Sequence, residues 1–354
     1  MIRTIVAMGG GSFSSDPANL LMERFCLQRA KDNFKSEKNI KALFIPTASA
    51  DNEFYEKSFF ECFKDQLCCE STSLALYRPP EGDLKELILS QHIIFVGGGN
   101  TKNMLALWQE WDIVSAIRAA YERGVVLCGV SAGAICWFEK GHTDSFSKKE
   151  LKELDCLGFL KGSLSPHFHG EKLRVPSYQK LVLENKFLAP FYAVDDGAAL
   201  LFEDEKFMST LSSRPGANGF ELNKKAEINN LAKTDLEFND YGLILLNSAA
   251  EEKYPQFINS IQEKKCYLLK SKNKDLCLAS WVQVKKKNLI ELTITGLNIA
   301  NLDELQMNMI LTTVHRKAFN LKVKYLDIIF QDIQIPIDKF NDYQLLSDTR
   351  WSRK

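Results

Sequence analysis

A Gly-x-Ser-x-Gly motif occupies residues 129–133 of this chain of 354 residues. A β-branched apolar run, 124–128, precedes it, and residues 134–138 favour the start of a helix. Such a motif at a strand-to-helix junction is typical of a nucleophile elbow, in which a tight turn between glycines lifts the serine out of the backbone. The motif therefore predicts that Ser131 is a nucleophile and that the N–H of Ala132 points at a developing oxyanion.

The composition is that of an ordinary globular protein, and the length favours two domains. Lys plus Arg equals Asp plus Glu, at 45 each, so the net charge is zero. This balance argues against a nucleic-acid-binding or anionic-membrane-binding surface. Residues 2–8 run directly into glycines and predict a strand rather than a signal peptide, and no apolar run reaches the length of a membrane span.

Nine cysteines are scattered along the chain, mostly within apolar runs, and no Cys-x-x-Cys occurs. An odd number of cysteines without metal-ligand spacing argues against a disulfide framework and against a zinc site. The pattern predicts reduced core thiols in a cytoplasmic protein, with no metal.

Apolar runs alternate with helical patterns through the first two-thirds of the chain. Strands are predicted at 2–8, 40–45, 73–76, 93–96 and 124–128, and helices at 16–30, 53–64 and 113–123. The first helix is expected to begin at Asp16 and Pro17, as N-cap and first helical residue. This alternation predicts an α/β fold in which helices flank a parallel sheet. Residues 146–154 are Lys/Glu-rich and predict a surface insertion.

The run Gly97-Gly98-Gly99 follows the predicted strand 93–96, and Asn100 comes next. Ligand sites in such sheets form at the carboxyl ends of neighbouring strands. The loop is therefore expected to lie beside Ser131, where Gly98 or Gly99 supplies a second oxyanion donor. The alternative interpretation is a tight turn without a ligand.

A serine nucleophile needs a base and a carboxylate that orients the base. Of the five histidines, His142, His167 and His169 are candidates, and His167 is favoured because Pro166 fixes an extended backbone before it. A packing or capping role for His167 is the alternative. The candidate carboxylates, which the pattern does not rank, are Asp144, Asp195 and Asp196.

Four motifs in this order and spacing resemble the dipeptidase E (aspartyl dipeptidase) family of serine peptidases, to which the cyanophycinases are related. They are the Gly-Gly-Gly-Asn-Thr run at 97–101, the elbow, Thr-Asp-Ser at 143–145 and Ser-Pro-His-Phe at 165–168. The resemblance covers about two-thirds of the chain. It implies a fold related to class I glutamine amidotransferases, with serine in place of cysteine at the elbow.

The resemblance also assigns roles by position. It implies that Ser131 is the nucleophile, that His167 is the general base and that Asp144 orients it. Gly99 and Ala132 become the oxyanion donors. Further candidates for contact with the substrate are Asn100, Arg174, Asp195 and Asp196.

These roles imply acyl transfer without a cofactor. The expected substrates are small peptides, and Arg174 is the candidate that would bind the carboxylate of an acidic N-terminal residue. The pair Asp195-Asp196 has two interpretations, since it either binds a substrate ammonium or caps a turn.

Lysine and asparagine become more frequent in the last third of the chain. This change in composition predicts two domains, at 1–225 and 226–354. Three strands are predicted at 266–270, 276–284 and 289–295, then a helix at 302–319 and a strand at 325–330. This order of elements resembles an N-acetyltransferase of the GNAT type. Such a domain would be degenerate, because residues 297–301 lack the glycines that would hold a pyrophosphate. The alternative is an appended α+β domain that binds a partner, forms a homo-oligomer or covers the active site.

Two other functions compete with the peptidase hypothesis. One is a non-catalytic ligand-sensing or assembly protein with an amidotransferase-like domain. The other is acetyltransferase activity in the second domain. The set Ser131, His167 and Asp144 favours the peptidase, because a binding module has no need of it.

Overall fold

The computed structural model describes residues 1–17, 19–147, 150–214, 216–236, 242–245, 266–271, 274–284, 289–297, 310, 325–331, 343–347 and 350–353. The chain divides into two compact units. The first contains residues 1–15, 20–213 and 217–236, and the second contains 16–19, 214–216 and 237–354. The first unit thus continues past the predicted border at residue 225.

The elements of the first unit follow one another in strand–helix alternation up to the elbow, as predicted. Its described strands are β1 (Thr4–Met8), β2 (Lys41–Ile45), β3 (Glu70–Ser73), β4 (Ile93–Val96), β5 (Val126–Val130), β6 (Phe138–Ser147), β7 (Glu150–Asp155), β8 (Leu160–Ser165), β9 (Phe191–Val194), β10 (Ala198–Glu203), β11 (Lys206–Ser212), β12 (Gly219–Leu222), β13 (Ile228–Asn230) and β14 (Lys233–Asp235). Its described α-helices are α1 (Leu21–Asn33), α2 (Glu53–Phe60), α3 (Leu84–Leu89), α4 (Thr101–Glu110), α5 (Ile113–Glu122), α6 (Ala132–Ile135) and α7 (Arg174–Leu183).

The larger sheet has the order β14-β11-β10-β1-β5-β4-β2-β3. Strands β1, β5, β4, β2 and β3 run parallel, which confirms the predicted α/β fold with a helix-flanked parallel sheet. Successive side chains of β1 pack in different hydrophobic cores, one on each face of the sheet. Val6 and Met8 pack with side chains of α1 and α2, whereas Ile5 and Ala7 pack with side chains of α4 and α5. Both faces of the sheet are therefore covered, which explains why its strands read as continuous apolar runs.

A second sheet has the order β13-β12-β9-β8-β6-β7. Strands β6, β8 and β9 are parallel, and β6 and β7 form an antiparallel hairpin. The predicted surface insertion at 146–154 overlaps this hairpin, since residues 146–147 lie in β6 and residues 150–154 lie in β7. Strand β7 is at the edge of the sheet and is only partly buried, in keeping with its Lys/Glu-rich sequence.

Helix α1 begins at Leu21 rather than at Asp16. The Asp16 carboxylate does not cap this helix, since it accepts a hydrogen bond from Nη2 of Arg214 at 3.0 Å in a buried ion pair. Burial of two charges requires such pairing. The third strand was predicted at 73–76, whereas β3 lies at Glu70–Ser73. The cause is again non-local, because β3 aligns with β2 so that Ser73 lies opposite Phe44.

The elbow has the conformation that its sequence predicts. Ser131 has φ of 55° and ψ of −108°, outside the regions that ordinary residues prefer. A Cβ at Gly133 would lie 2.1 Å from the carbonyl oxygen of Val96, and one at Gly129 would lie 2.3 Å from the carbonyl oxygen of Gly133. Only glycine permits this approach of α6 to β4.

The described strands of the second unit form one sheet. They are β15 (Gly242–Leu245), β16 (Cys266–Ser271), β17 (Lys274–Val284), β18 (Leu289–Gly296), β19 (Tyr325–Gln331), β20 (Tyr343–Ser347) and β21 (Arg350–Arg353). The sheet has the order β15-β16-β17-β18-β19-β21-β20, with β18 and β19 parallel and the other pairs antiparallel.

The predicted strands β16 to β19 are confirmed. The predicted helix 302–319 lies outside the described residues, apart from Ile310. Most of the loop 297–301 also lies outside them. Among the helices that the structure describes, none combines the length and the apolar character that crossing a membrane requires.

We expect Gly133→Ala to lower the free energy of unfolding by more than about 3 kcal/mol, because the new methyl group would overlap backbone that cannot move aside. The matched control is Gly82→Ala. Gly82 has φ of +75°, and no atom lies within 4 Å of the place that a methyl group would take, so this variant should lose only about 1 kcal/mol from backbone strain. Urea unfolding measures both variants, and equal losses would contradict the packing argument.

Candidate active site

Three loops meet at the carboxyl ends of β1, β4 and β5. The N–H of Ser131 donates to the carbonyl of Met8 at 3.0 Å, which ties the elbow to the end of β1. A Cβ on Gly98 would lie 3.5 Å from Cβ of Ser131. The glycine loop is therefore beside the elbow, as predicted. The Ser131 hydroxyl makes no capping hydrogen bond to α6, so it is not tied to the helix that follows.

His167 and Asp196 lie next to each other at the same edge of the fold. Nδ1 of His167 is 2.5 Å from Oδ1 of Asp196, and both side chains are mostly buried. Gly10 packs against the pair, since a Cβ there would lie 2.8 Å from the His167 ring. Gly10 comes two residues after Met8, the residue bonded to the Ser131 amide. The short glycine turn after β1 thus brings the elbow and the histidine–carboxylate pair to one site.

The pairing of His167 with Asp144 that the resemblance implies is not what the structure has. Asp144 is exposed on β6, and the carboxylate at Nδ1 of His167 belongs to Asp196. The motif around Asp144 has a different contact, because Oγ of Ser145 accepts the N–H groups of Thr101 at 2.9 Å and of Lys102 at 3.4 Å. These are orphan donors at the start of α4. The motif therefore holds the glycine loop rather than the base.

Asn100 is also bonded within the protein at both ends of its side-chain amide. Its Oδ1 accepts the N–H of Asn103 at 2.9 Å and so caps α4. Its Nδ2 donates to the carbonyl of Ser145 at 3.1 Å. These bonds give Asn100 a structural role in the glycine loop, and its contact with a substrate stays a prediction.

The candidate oxyanion donors differ in their partners. The N–H of Gly98 donates to the hydroxyl of Tyr55 at 3.3 Å. Gly99 has φ of +140°, and a Cβ there would lie 2.1 Å from the carbonyl oxygen of Ala48, so only glycine fits this turn. Ala132 begins α6, where the first N–H groups have no acceptor within the helix. Gly99 and Ala132 therefore remain the candidate donors.

Tyr55 is a site residue that sequence reasoning missed. Burial raises the pKa of its hydroxyl, while hydrogen bonds from Gly98, Ser14 and Ser12 oppose the shift. The phenol thus touches both the loop after β1 and the loop after β4. Its position on α2, a helix that follows the carboxyl end of β2, is the signal that could have found it.

Asp195 binds a second histidine of the loop that carries His167. Its Oδ1 is 2.8 Å from Nδ1 of His169 and accepts the backbone N–H of His169 at 3.1 Å. Its Oδ2 accepts the N–H of Asn218 at 3.2 Å. The hydrogen bond with Asp195 raises the pKa of His169, against the effect of burial. Each carboxylate of the pair Asp195-Asp196 therefore contacts a histidine, and Asp195 also accepts two backbone N–H groups, as a turn cap does. Binding of a substrate ammonium by the pair stays a prediction.

Arg174 lies inside the protein, with 3% of its side chain exposed. Its Nε donates to Glu171 at 2.7 Å and its Nη1 donates to the carbonyl of His142 at 2.7 Å. A buried guanidinium with these partners is not presented to a substrate carboxylate, so the sequence-based assignment of Arg174 is not supported.

His142 is a buried neutral histidine. Nδ1 is 2.8 Å from the hydroxyl of Ser165 and Nε2 is 3.0 Å from the hydroxyl of Ser177. Burial, reinforced by the guanidinium of Arg174, lowers its pKa to about 3. Because Ser165 is two residues before His167, His142 supports the loop and is not a candidate base. Across the described part of the chain, no three His, Cys, Asp or Glu side chains are arranged to hold a metal ion.

We expect the ring of His142 to stay neutral in the folded protein from about pH 7 to about pH 5. In the unfolded chain the same ring takes up a proton below about pH 6.5, so the unfolded state binds more protons and the free energy of unfolding falls as the pH falls below that value. NMR of the imidazole nitrogens measures the protonation state directly. A ring that titrates above pH 5 in the folded protein would show that the burial argument fails.

Comparisons with known proteins indicate the family of this chain. A family model, peptidase family S51, matches residues 5–210. The uncharacterized peptidase YgaJ of Bacillus subtilis (strain 168) is 44% identical over 221 residues, which are 62% of this chain and 92% of the relative. Peptidase E of Shewanella denitrificans is 29% identical over 175 residues, or 47% of this chain and 72% of the relative.

A solved structure has the same fold. The crystal structure of a peptidase from an acI-B1 Actinobacterium matches with a TM-score of 0.52 at 20% identity, over 66% of this chain and 95% of that chain. The family model spans more than half of the chain, and its range includes the elbow, the glycine loop, His167 and Asp196. The chain therefore belongs to peptidase family S51, the family that its dipeptidase E-like motifs predict, and it is a peptidase.

Proposed function

We propose that the protein is a serine peptidase that hydrolyses small peptides through an acyl-enzyme. Ser131 is the nucleophile, His167 is the general base and Asp196 orients His167. The observation that carries the proposal is the hydrogen bond of 2.5 Å between Nδ1 of His167 and Oδ1 of Asp196, beside the elbow that presents Ser131. A base held by a carboxylate beside the serine of a nucleophile elbow is the arrangement that acyl transfer requires.

Asp196 acts on the tautomer of His167. With its N–H at Nδ1 directed to the carboxylate, the ring keeps a lone pair on Nε2, and this nitrogen can take the proton of Ser131. The carboxylate also stabilises the imidazolium that forms. Asp144 is exposed on β6 and does neither.

In the first half-reaction, Oγ of Ser131 attacks the carbonyl carbon of the peptide bond while Nε2 of His167 takes the hydroxyl proton. The negative oxygen of the tetrahedral intermediate accepts hydrogen bonds from the N–H groups of Gly99 and Ala132. The C–N bond then breaks as His167 gives the proton to the leaving amine. In the second half-reaction a water molecule takes the place of the amine and attacks the acyl carbon while His167 takes its proton. The bond to Oγ of Ser131 then breaks as His167 gives that proton to Oγ, and the acid product leaves.

Selectivity for an acidic N-terminal residue is a separate prediction. The relative from Shewanella denitrificans carries the name peptidase E. The side chain that sequence reasoning assigned to this selectivity, Arg174, is buried and bonded to Glu171 and His142. The proposal therefore takes small peptides as the substrate class and leaves the N-terminal residue to the following experiment.

We expect the protein to cleave at least one member of a panel of Asp-Leu, Glu-Leu, Ala-Leu and isoaspartyl-Leu, and Ser131→Ala to abolish the cleavage. Product amines measured by chromatography give the rates. Because Arg174 is buried, we expect Asp-Leu and Ala-Leu to differ by less than about tenfold in kcat/KM. A folded protein that cleaves none of the four would count against small peptides as substrates, and residual cleavage by Ser131→Ala would remove Ser131 from the mechanism.

The choice between the two carboxylates has its own test. We expect Asp196→Asn to lower kcat by roughly 10³-fold to 10⁴-fold, because an amide favours the wrong tautomer of His167. Asp144→Asn is the matched control, and its kcat should stay within about threefold of wild type because the side chain is exposed. Steady-state kinetics on the best substrate measure both. The reverse order of effects would restore Asp144 as the orienting carboxylate.

A further inference from the structure

His167 has a backbone conformation that needs support. Its φ is +51°, in the left-handed region that residues with a side chain rarely adopt. Such a conformation costs roughly 1–2 kcal/mol and persists only where surrounding contacts determine it. The direction of the imidazole ring depends on this conformation, so the contacts that hold the turn also aim the base.

The turn around His167 is bonded from both sides. Its carbonyl accepts the N–H groups of Gly170 at 3.0 Å and Glu171 at 3.1 Å, which close the turn on itself. The N–H of Phe168 donates to the carbonyl of Val194 at 3.1 Å, which fastens the turn to the end of β9. These bonds fix the backbone at His167 and Phe168. The next residue, His169, is held by a side chain instead.

That side chain is Asp195. Its side chain is 10% exposed, and its Oδ1 accepts two hydrogen bonds from one residue, His169, through the backbone N–H and the ring. Its other oxygen accepts the N–H of Asn218, which fixes the carboxylate itself. A carboxylate that accepts hydrogen bonds from a backbone N–H and from an imidazole N–H at once is a strong and directional anchor.

Asp195 and Asp196 are consecutive residues at the end of β9, and they bind His169 and His167 respectively. The base, its orienting carboxylate and the anchor of its loop are therefore placed by one short piece of backbone. That backbone has little freedom to shift, because Gly9 packs so closely on it that a Cβ would lie 2.3 Å from the carbonyl oxygen of Asp195.

We propose that Asp195 is a positioning residue for the catalytic base, which it holds through His169. This rests on the proposed role of His167. Loss of the anchor lets the turn relax from its left-handed conformation, and the ring of His167 then moves away from Ser131. Misplacement of a reacting group by about 1 Å costs up to about 10²-fold in rate.

The test compares Asp195→Ala with Asp155→Ala in the full chain. Asp155 is the control, since its carboxylate pairs with Lys140 at the end of β7 and its side chain is 86% exposed. We expect Asp195→Ala to lower kcat by at least about tenfold while KM changes less than about threefold, and Asp155→Ala to match wild type. A folded Asp195→Ala with unchanged kcat, or with a change in KM alone, would overturn the proposal.

A second pair of variants, His169→Ala and His169→Asn, tests the positioning role if Asp195→Ala does not fold. His169 is 46% exposed at its side chain and tolerates replacement more easily. Asparagine places an amide N–H where Nδ1 of His169 lies, so His169→Asn should keep most of the activity that His169→Ala loses. Equal losses in the two variants would show that the hydrogen bond to Asp195 does not matter for the base.

An NMR measurement separates this proposal from the proposed function. The Nδ1 proton of His167, hydrogen-bonded to Asp196, should resonate at low field in wild type and in Asp155→Ala, and should disappear or broaden in His169→Ala. This readout needs no substrate. A protein that keeps the resonance pattern but never cleaves a peptide would contradict the proposed function alone, whereas an unchanged resonance in His169→Ala would contradict the positioning role.

Discussion

The contact between α6 and β4 determines where the chemistry can occur. Gly133 lies against the carbonyl of Val96 so closely that no side chain fits between them. This contact forces the chain to reverse within the elbow and leaves Ser131 in a strained conformation, with its hydroxyl free of the helix. The same carbonyl ends β4, and the glycine loop begins there. One close approach of backbone therefore sets both the position of Ser131 and the start of the glycine loop.

The base side of the site is built from the second sheet. Three histidines of this region differ in their partners. Burial favours the neutral form of His142 and lowers its pKa to about 3, whereas the Asp195 carboxylate raises the pKa of His169. His167 is bonded to the Asp196 carboxylate at Nδ1 and lies against the glycine turn after β1. The proposed roles of His169 as an anchor and of His167 as a base rest on these different environments rather than on residue type.

The elbow, the parallel sheet and the nearness of the glycine loop to Ser131 were all predictable from the sequence, because each follows from a local pattern. Glycines at 129 and 133 demand a close approach, and strand ends that are neighbours in a parallel sheet must meet at one edge. The order and spacing of the motifs were enough to indicate the family. Strand β4 was predicted with its observed bounds because a short, fully apolar run between polar residues has few other interpretations.

The partners of charged side chains were not predictable in the same way. The sequence alone does not distinguish Asp144, Asp195 and Asp196 as the partner of His167. Only the tertiary structure, which places the end of β9 beside the His167 turn, selects Asp196. Arg174 follows His167 in sequence, but its buried guanidinium donates to the carbonyl of His142. Asp16 looked like a helix cap and is instead half of a buried ion pair. In each case the deciding contact joins residues far apart in the chain.

The most direct measurement is the site of covalent labelling by a fluorophosphonate, read by mass spectrometry of the digested protein. A serine activated by a held histidine reacts with this reagent, and ordinary surface serines do not. The account predicts a single adduct on the peptide that contains Ser131, and no adduct in a folded Ser131→Ala variant. A folded wild-type protein that stays unlabelled, or that is labelled at another serine, would contradict the assignment of Ser131 as the nucleophile.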